Sequence, residues 1–258
     1  MRKSYFSGSF YDSNCEEIEK YFSQKENLSL FKEKSIRGLI VPHAGYFYSG
    51  SVADEVYKIT NGENYKRIVV IGPSHHLYFK NASVVLDDYY KTPCGNLDID
   101  IQYSEELIEK LDFLSYLKQA HMEHSTEVQM PFIKHYFSSK KVVEIVYGDI
   151  NKQKMSELIE LILSDKSNLL VISTDLSHFY NLKDANILDN YCIEAFKSLN
   201  IEILDDGCEA CGLLGLRAVI DIAKKQELKS ELVKYKTSAD ASGDNTKVVG
   251  YMSGILFD

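Results

Sequence analysis

The chain is expected to fold as an α/β domain with a mostly parallel central sheet and helices on both faces. Three observations predict this. Short, continuously apolar runs alternate with longer stretches whose apolar residues recur at helical spacing. The short runs are apolar at every position, the pattern of strands buried on both faces rather than on one. No Pro/Gly/Ser-rich linker, low-complexity tract or fixed-period repeat divides the 258 residues, so residues 1–258 read as a single domain.

The elements follow in order. Gly38-Leu39-Ile40-Val41 reads as a buried strand, and residues 49–60 as a helix with a serine start. Ile68-Val69-Val70-Ile71 is a second buried strand. Ser104–Leu114 is a helix with Ser104 as N-cap and acidic residues in its first turn. Ser125–Phe137 has helical character that Pro131 must kink or interrupt. Val142–Tyr147 is a strand, Asn151–Ser164 an amphipathic helix and Leu169–Ser173 another continuous apolar strand. Asp184–Leu199 and Cys211–Lys225 are helices. Residues 231–238 and 248–257 close the chain as strands.

Composition narrows the function. The chain carries 29 basic and 38 acidic side chains, a formal charge of −9, which disfavours a general nucleic-acid binder because phosphate must be neutralised by a basic surface. No apolar run approaches 18 residues, so no transmembrane helix is expected. The first residues, MRKSYFSGSFYDS, lack an apolar stretch after their charges and do not read as a signal peptide. With five cysteines, an odd number, in a chain large enough to need no disulfide staples, the thiols are expected to be reduced and the protein cytoplasmic.

Parallel sheets bind ligands beyond the carboxyl ends of their strands. Three apolar strands here run into histidines: Pro42-His43-Ala44-Gly45-Tyr46, Gly72-Pro73-Ser74-His75-His76, and Thr174-Asp175-Leu176-Ser177-His178. Four of the seven histidines (His43, His75, His76 and His178) thus converge on one sheet edge. Neutral imidazole is the commonest metal ligand and also titrates near neutral pH. Two histidines and a third, anionic ligand leave open positions for a substrate. Asp175, a glutamate or the Cys211 thiolate could be that third ligand. His124 is a candidate for the pocket lining, as is Tyr46, which follows His43 closely. His135 reads as a surface helix residue, and Gly45, Gly72 and Pro73 as turn formers. The Cys208/Cys211 pair has CxxC spacing without the second pair that a structural zinc site needs. GxxxxGK[ST], GxGxxG, GxSxG and HExxH are absent, which disfavours an NTPase, a Rossmann dehydrogenase, a serine hydrolase of that fold and a zincin.

Taken in order, Gly8-Ser9-Phe10-Tyr11, Val41-Pro42-His43-Ala44-Gly45-Tyr46, Gly72-Pro73-Ser74-His75-His76, Glu123-His124-Ser125, Thr174-Asp175-Leu176-Ser177-His178 and Cys211-Gly212 resemble the Memo family, named after a mediator of ErbB2-driven cell motility. The resemblance spans residues 8 to 212. It implies a fold related to the class III extradiol (LigB-like) dioxygenases, which are non-haem Fe(II) enzymes. It implies a metal pocket of His43, His75 and Cys211, with Asp175 and His178 beside it. The cysteine stands where the dioxygenases have a carboxylate, and a thiolate shifts preference toward copper(I) or zinc. Prokaryotic members are associated with a radical SAM protein and an AMMECR1-domain protein, the partners that the resemblance implies. Animal members are described as signalling adaptors.

The expectation that follows is an oxidoreductase on a small organic substrate, with Fe(II), or else copper or zinc, on His43, His75 and Cys211. His178, oriented by Asp175, is the catalytic acid/base, and His76, His124 and Tyr46 line the substrate pocket. The alternatives are a non-catalytic metal- or peptide-binding adaptor and a zinc-dependent hydrolase.

Overall fold

A computed structural model of the chain describes residues 1–22, 34–60 and 65–258. In chain order the elements are α1 (Cys15–Phe22), β1 (Ile36–Val41), α2 (Ser51–Lys58), β2 (Arg67–Pro73), β3 (Ala82–Val84), β4 (Tyr89–Thr92), β5 (Gly95–Asp98), α3 (Ile101–Lys110) and β6 (Leu114–Ser115). They continue with α4 (His124–Glu127), α5 (Met130–Tyr136), β7 (Lys141–Tyr147), α6 (Lys152–Ser164), β8 (Asn168–Ser173), β9 (His178–Tyr180), α7 (Leu182–Ser198), α8 (Leu213–Lys225), β10 (Lys229–Thr237), α9 (Ala239–Ser242) and β11 (Val248–Phe257).

The main sheet has the order β10-β11-β1-β8-β2-β7-β3-β6, with β9 added on β11. Its centre, β1, β8, β2 and β7, is parallel throughout. Antiparallel pairs flank that centre, β11 with β1 and β10 on one side and β3 with β7 on the other. Of the two closing strands, β11 therefore runs opposite to the core, and β10, antiparallel to β11, runs in the same sense as the core again.

Continuous apolarity in the central strands has the anticipated cause. Leu39 and Val41, Ile68 and Val70, and Leu169 and Val171 enter one core, with Ile18 of α1, Val56 of α2 and Phe132 of α5. Their neighbours Ile40, Val69, Ile71, Leu170 and Ile172 enter the other, with Leu158 of α6, Phe196 of α7 and Leu216 of α8. A strand that alternates between two apolar layers has no polar face to show.

Details differ at element ends. Asn151 caps α6 as expected, its side chain accepting from the Lys154 N–H. Ser104 is not a cap: α3 begins at Ile101, and Ser104 is buried within it. Pro131 divides the 125–137 segment into α4 and α5, standing in the first turn of α5, where its missing N–H costs nothing. The cap of α4 is Glu123, whose carboxylate accepts from the Ser125 N–H.

The thiols do not stay reduced in this structure. Cys15 is bonded to Cys94, and Cys192 to Cys208, leaving Cys211 as the free cysteine. The Cα atoms of the two pairs lie 4.8 and 4.9 Å apart, inside the range a disulfide spans. Sequence spacing could not show this, because the partners meet only through tertiary packing. Among the described residues, no helix is long and apolar enough to cross a membrane.

Candidate metal centre

Since β1, β8 and β2 are parallel, their carboxyl ends deliver His43, Thr174-Asp175 and His75 to the same edge. The loop ahead of α8 adds Cys211: its N–H donates to the Asp175 carbonyl (3.2 Å), while the Gly212 N–H donates to Thr174 Oγ1 (2.8 Å). One donor atom each from His43, His75 and Cys211 fall within 4.8 Å of one another. His43 Nε2 and Cys211 Sγ are 3.2 Å apart.

The hydrogen bonds fix which nitrogen of each ring faces inward. Ser173 Oγ spends its single proton on the Ser125 carbonyl. It must therefore accept from Gln129 Nε2 (2.9 Å) and from His43 Nδ1 (3.0 Å). That places the His43 proton on Nδ1 and a lone pair on Nε2, toward Cys211. Likewise, His75 Nδ1 lies 3.0 Å from Glu123 Oε1, an acceptor, which leaves Nε2 as the free donor atom. A ligand imidazole held through its other nitrogen is the usual support for a bound metal. Burial, followed by the nearby His75 and His124 rings, holds the His43 basicity well below the usual histidine range, so the ring stays neutral. Burial and the Asp175 carboxylate push the Cys211 thiol up to about 12. This differs from the lowering expected of a helix N-terminus, because Gly212, not Cys211, caps α8 and the thiol is buried beside an acid. Two imidazole nitrogens and a thiol that a cation can deprotonate form a donor set suited to a transition metal.

Glu123 organises the second layer. It is 1% exposed and accepts from the His75 N–H (2.6 Å), the His76 N–H (3.3 Å) and the Ser125 N–H (3.0 Å), and it pairs with His124 Nδ1 (2.9 Å). Burial alone would raise its pKa. The bonds from His124, His75 and Ser125 outweigh burial and hold the carboxyl far below the usual range. Gly72 allows the close approach of β2 to α4, since a Cβ there would lie 2.6 Å from Ser125 Oγ.

The remaining expected residues divide. His76 Nε2 is 3.1 Å from His124 Nδ1, and the His124 ring lies 4.6 Å from that of His75, centroid to centroid. Both rings therefore lie in one cluster with His75. Tyr46, expected to line the pocket, instead points into the aromatic core: its ring packs on Phe132, and its hydroxyl donates to the Val128 carbonyl (2.9 Å). Asp175 Oδ1 accepts from the His43 N–H (2.7 Å). Among the described residues, no hydrogen bond joins Asp175 to His178, so any orienting effect of one on the other is electrostatic. Burial raises the Asp175 carboxyl, and the His43 N–H and the His178 ring pull it back. His178 sits on β9 opposite Val249, followed by Phe179 in the left-handed region (φ 66°), an uncommon conformation for a bulky residue.

Sequence reasoning did not find the outer wall. Phe6 stacks on His76 (5.4 Å), and Phe10 packs on His124 (4.7 Å). Glu127 holds this N-terminal segment, accepting from the Tyr5 and Phe6 N–H groups, the Tyr11 hydroxyl and Arg2. The Gly8-Ser9-Phe10-Tyr11 match was the available signal, but nothing in it placed a ring over a histidine.

Comparison with known proteins is consistent with these motifs. A family profile described as Memo-like protein matches residues 2–255. The chain belongs to the Memo-like family. MEMO1 family proteins of Methanobrevibacter smithii and Aquifex aeolicus are each 33% identical to it, aligned over 99% and 100% of this chain and 99% of theirs. One from Sulfurisphaera tokodaii is 35% identical over 83% of this chain and 80% of its own. Among solved structures, an uncharacterized protein of Escherichia coli K12 resembles this Memo-like chain in fold, with a TM-score of 0.51 over 86% of this chain and 100% of its own at 13% identity.

Proposed function

We propose that His43, His75 and Cys211 hold a transition metal, Fe(II) in the first place, and that the protein is a cytoplasmic oxidoreductase acting on a small organic substrate. The observation that carries this reading is the convergence of two imidazole nitrogens and one thiol, with both rings held through their outer nitrogens. Iron bound by these three side chains would supply redox chemistry and open positions for a substrate. The protein's own part is orientation, enclosure and proton handling. Ser173 and Glu123 fix the rings. Phe6 and Phe10 shield the histidines from water on one side. His178, close enough to His43 and Asp175 to act on their charge, is the group that takes up or returns a proton.

The thiol supports a second reading. Sulfur favours zinc or copper(I), and with zinc the same pocket would serve a hydrolase or a non-catalytic binding module. Elemental analysis of protein purified anaerobically separates the two. Iron near one equivalent, with oxygen uptake on substrate addition, is the expected result. Zinc without any redox response would overturn the oxidoreductase. His75→Ala and Cys211→Ser should each lose the metal while retaining the circular dichroism of the native fold.

A further inference from the structure

A second group of metal-ligating side chains lies on elements that supply nothing to the first. Cys15 opens α1, and Glu19 follows four residues later on the same helix face. Cys94 stands in the turn between β4 and β5. One donor atom from each of Cys15, Glu19 and Cys94 lies within 4.8 Å of the others. His135 of α5 places Nδ1 2.8 Å from Glu19 Oε2.

We propose that, once Cys15 and Cys94 are reduced, these two thiolates and the Glu19 carboxylate form a zinc site that is mutually exclusive with the Cys15–Cys94 disulfide. A disulfide alone has no use for a carboxylate against its sulfurs, nor for an imidazole that steers that carboxylate from behind. A zinc ion uses both. Two thiolates and one carboxylate are ordinary zinc ligands, and a histidine bonded to the ligating carboxylate is a common outer partner. The sulfurs need only separate to roughly 3.8 Å to share a tetrahedral ion at the usual Zn–S length of about 2.3 Å. Cys15 and Cys94 are both partly exposed, so reductant and metal can reach them, whereas the Cys192–Cys208 bond is buried.

The chemistry balances. A dithiol reductant gives two electrons and two protons to the Cys15–Cys94 bond and itself becomes a disulfide. Zinc then displaces the two thiol protons to solvent. In reverse, a small-molecule disulfide such as oxidised glutathione takes two electrons from the two sulfurs, is cleaved to two thiols, and zinc leaves.

The experiment uses the full chain carrying Cys211→Ser, which removes the thiol of the strand-end site. The protein is reduced under nitrogen and titrated with cobalt(II) as the probe for zinc. One equivalent of cobalt with a near-ultraviolet sulfur-to-metal band is expected. Zinc should displace it, and oxidised glutathione should abolish it. The band should be missing when Cys15→Ser and Cys94→Ser are added. Glu19→Gln, a change at a half-exposed surface position, should weaken cobalt binding by about tenfold or more. An absent band in the reduced Cys211→Ser protein overturns the proposal, as does an equal band after removal of Cys15 and Cys94. Should the triple variant not fold, Glu19→Gln decides, and unchanged affinity counts against the site.

Discussion

Replacing Arg2 tests how the outer wall of the site is held. The Arg2 guanidinium is 2% exposed and lies between Glu127 (2.9 Å) and Glu144 (3.3 Å), both wholly buried, over the Tyr90 ring at 4.6 Å. Arg2→Met keeps much of the volume and removes the charge, leaving two carboxylates in the core with less than their share of positive partners. Breaking a buried ion pair from one side costs about 3–5 kcal/mol. For a domain of 258 residues each kcal/mol lowers Tm by about 2 °C, so a loss of about 8 °C is expected at pH 7. The loss should shrink at lower pH. Burial pushes the Glu144 carboxyl up, but Arg2 and His121 outweigh it and hold it at about 2. In the native protein this depressed pKa adds stability that is complete above the ordinary carboxyl value of about 4.5 and is lost as pH falls toward 2. Without Arg2 the carboxyl protonates more readily, so the variant escapes part of its penalty near pH 5. Calorimetric melting at pH 7 and pH 5 reads both effects. A Tm within 2 °C of native at pH 7, or an equal deficit at both pH values, would refute the assignment of Arg2 as the charge that stabilises this cluster.

Other outcomes follow from the same geometry. Glu123→Gln should weaken metal binding about 10- to 100-fold by freeing the His75 ring, as measured by competition with a chelator, while Tm falls only modestly. Metal affinity should rise with pH between 6 and 9, by about tenfold per unit, because binding must displace the proton of a thiol raised to about 12; a flat profile would show that Cys211 is not a ligand. Gly72→Ala drives a methyl to within 2.6 Å of Ser125 Oγ and should cost about 1–3 kcal/mol in denaturant unfolding, together with a weakened metal site.

The strands and the long helices were legible because continuous apolar runs and helical periodicity are local signals, and burial of β1, β2, β7 and β8 on both faces leaves them no other pattern. His43 and His75 were legible for a related reason: parallel strands send their carboxyl ends to one edge, so histidines that follow three such strands must meet. The short strands β3, β4, β5, β6 and β9 were not, since two to four residues carry too little periodicity. The roles of Ser173, Glu123 and Gln129 were not legible, even though Glu123 lies in a quoted motif, because their task is to satisfy a ring nitrogen or a neighbouring hydroxyl, which depends on three-dimensional approach rather than on residue type. Tyr46 misled for the opposite reason: adjacency to His43 in sequence does not set the direction of its side chain, which five residues of π-helix turn toward Phe132. The disulfide partners lay equally beyond reach.

The last strand also bears on how the site comes into being. β11 runs antiparallel to β1, pairing Ile40 with Gly254, and Gly250 exchanges backbone hydrogen bonds with Leu176 and Ser177 in the loop that carries Asp175 and His178. The final strand thus buttresses both β1, which leads to His43, and the loop that carries Asp175 and His178. His43 and His75, the ligands proposed above, lie far before that strand in the sequence, so their side of the site is shaped only once β11 has joined the sheet. Metal retention therefore reports on completed folding, and a chain cut before residue 248 should lose it.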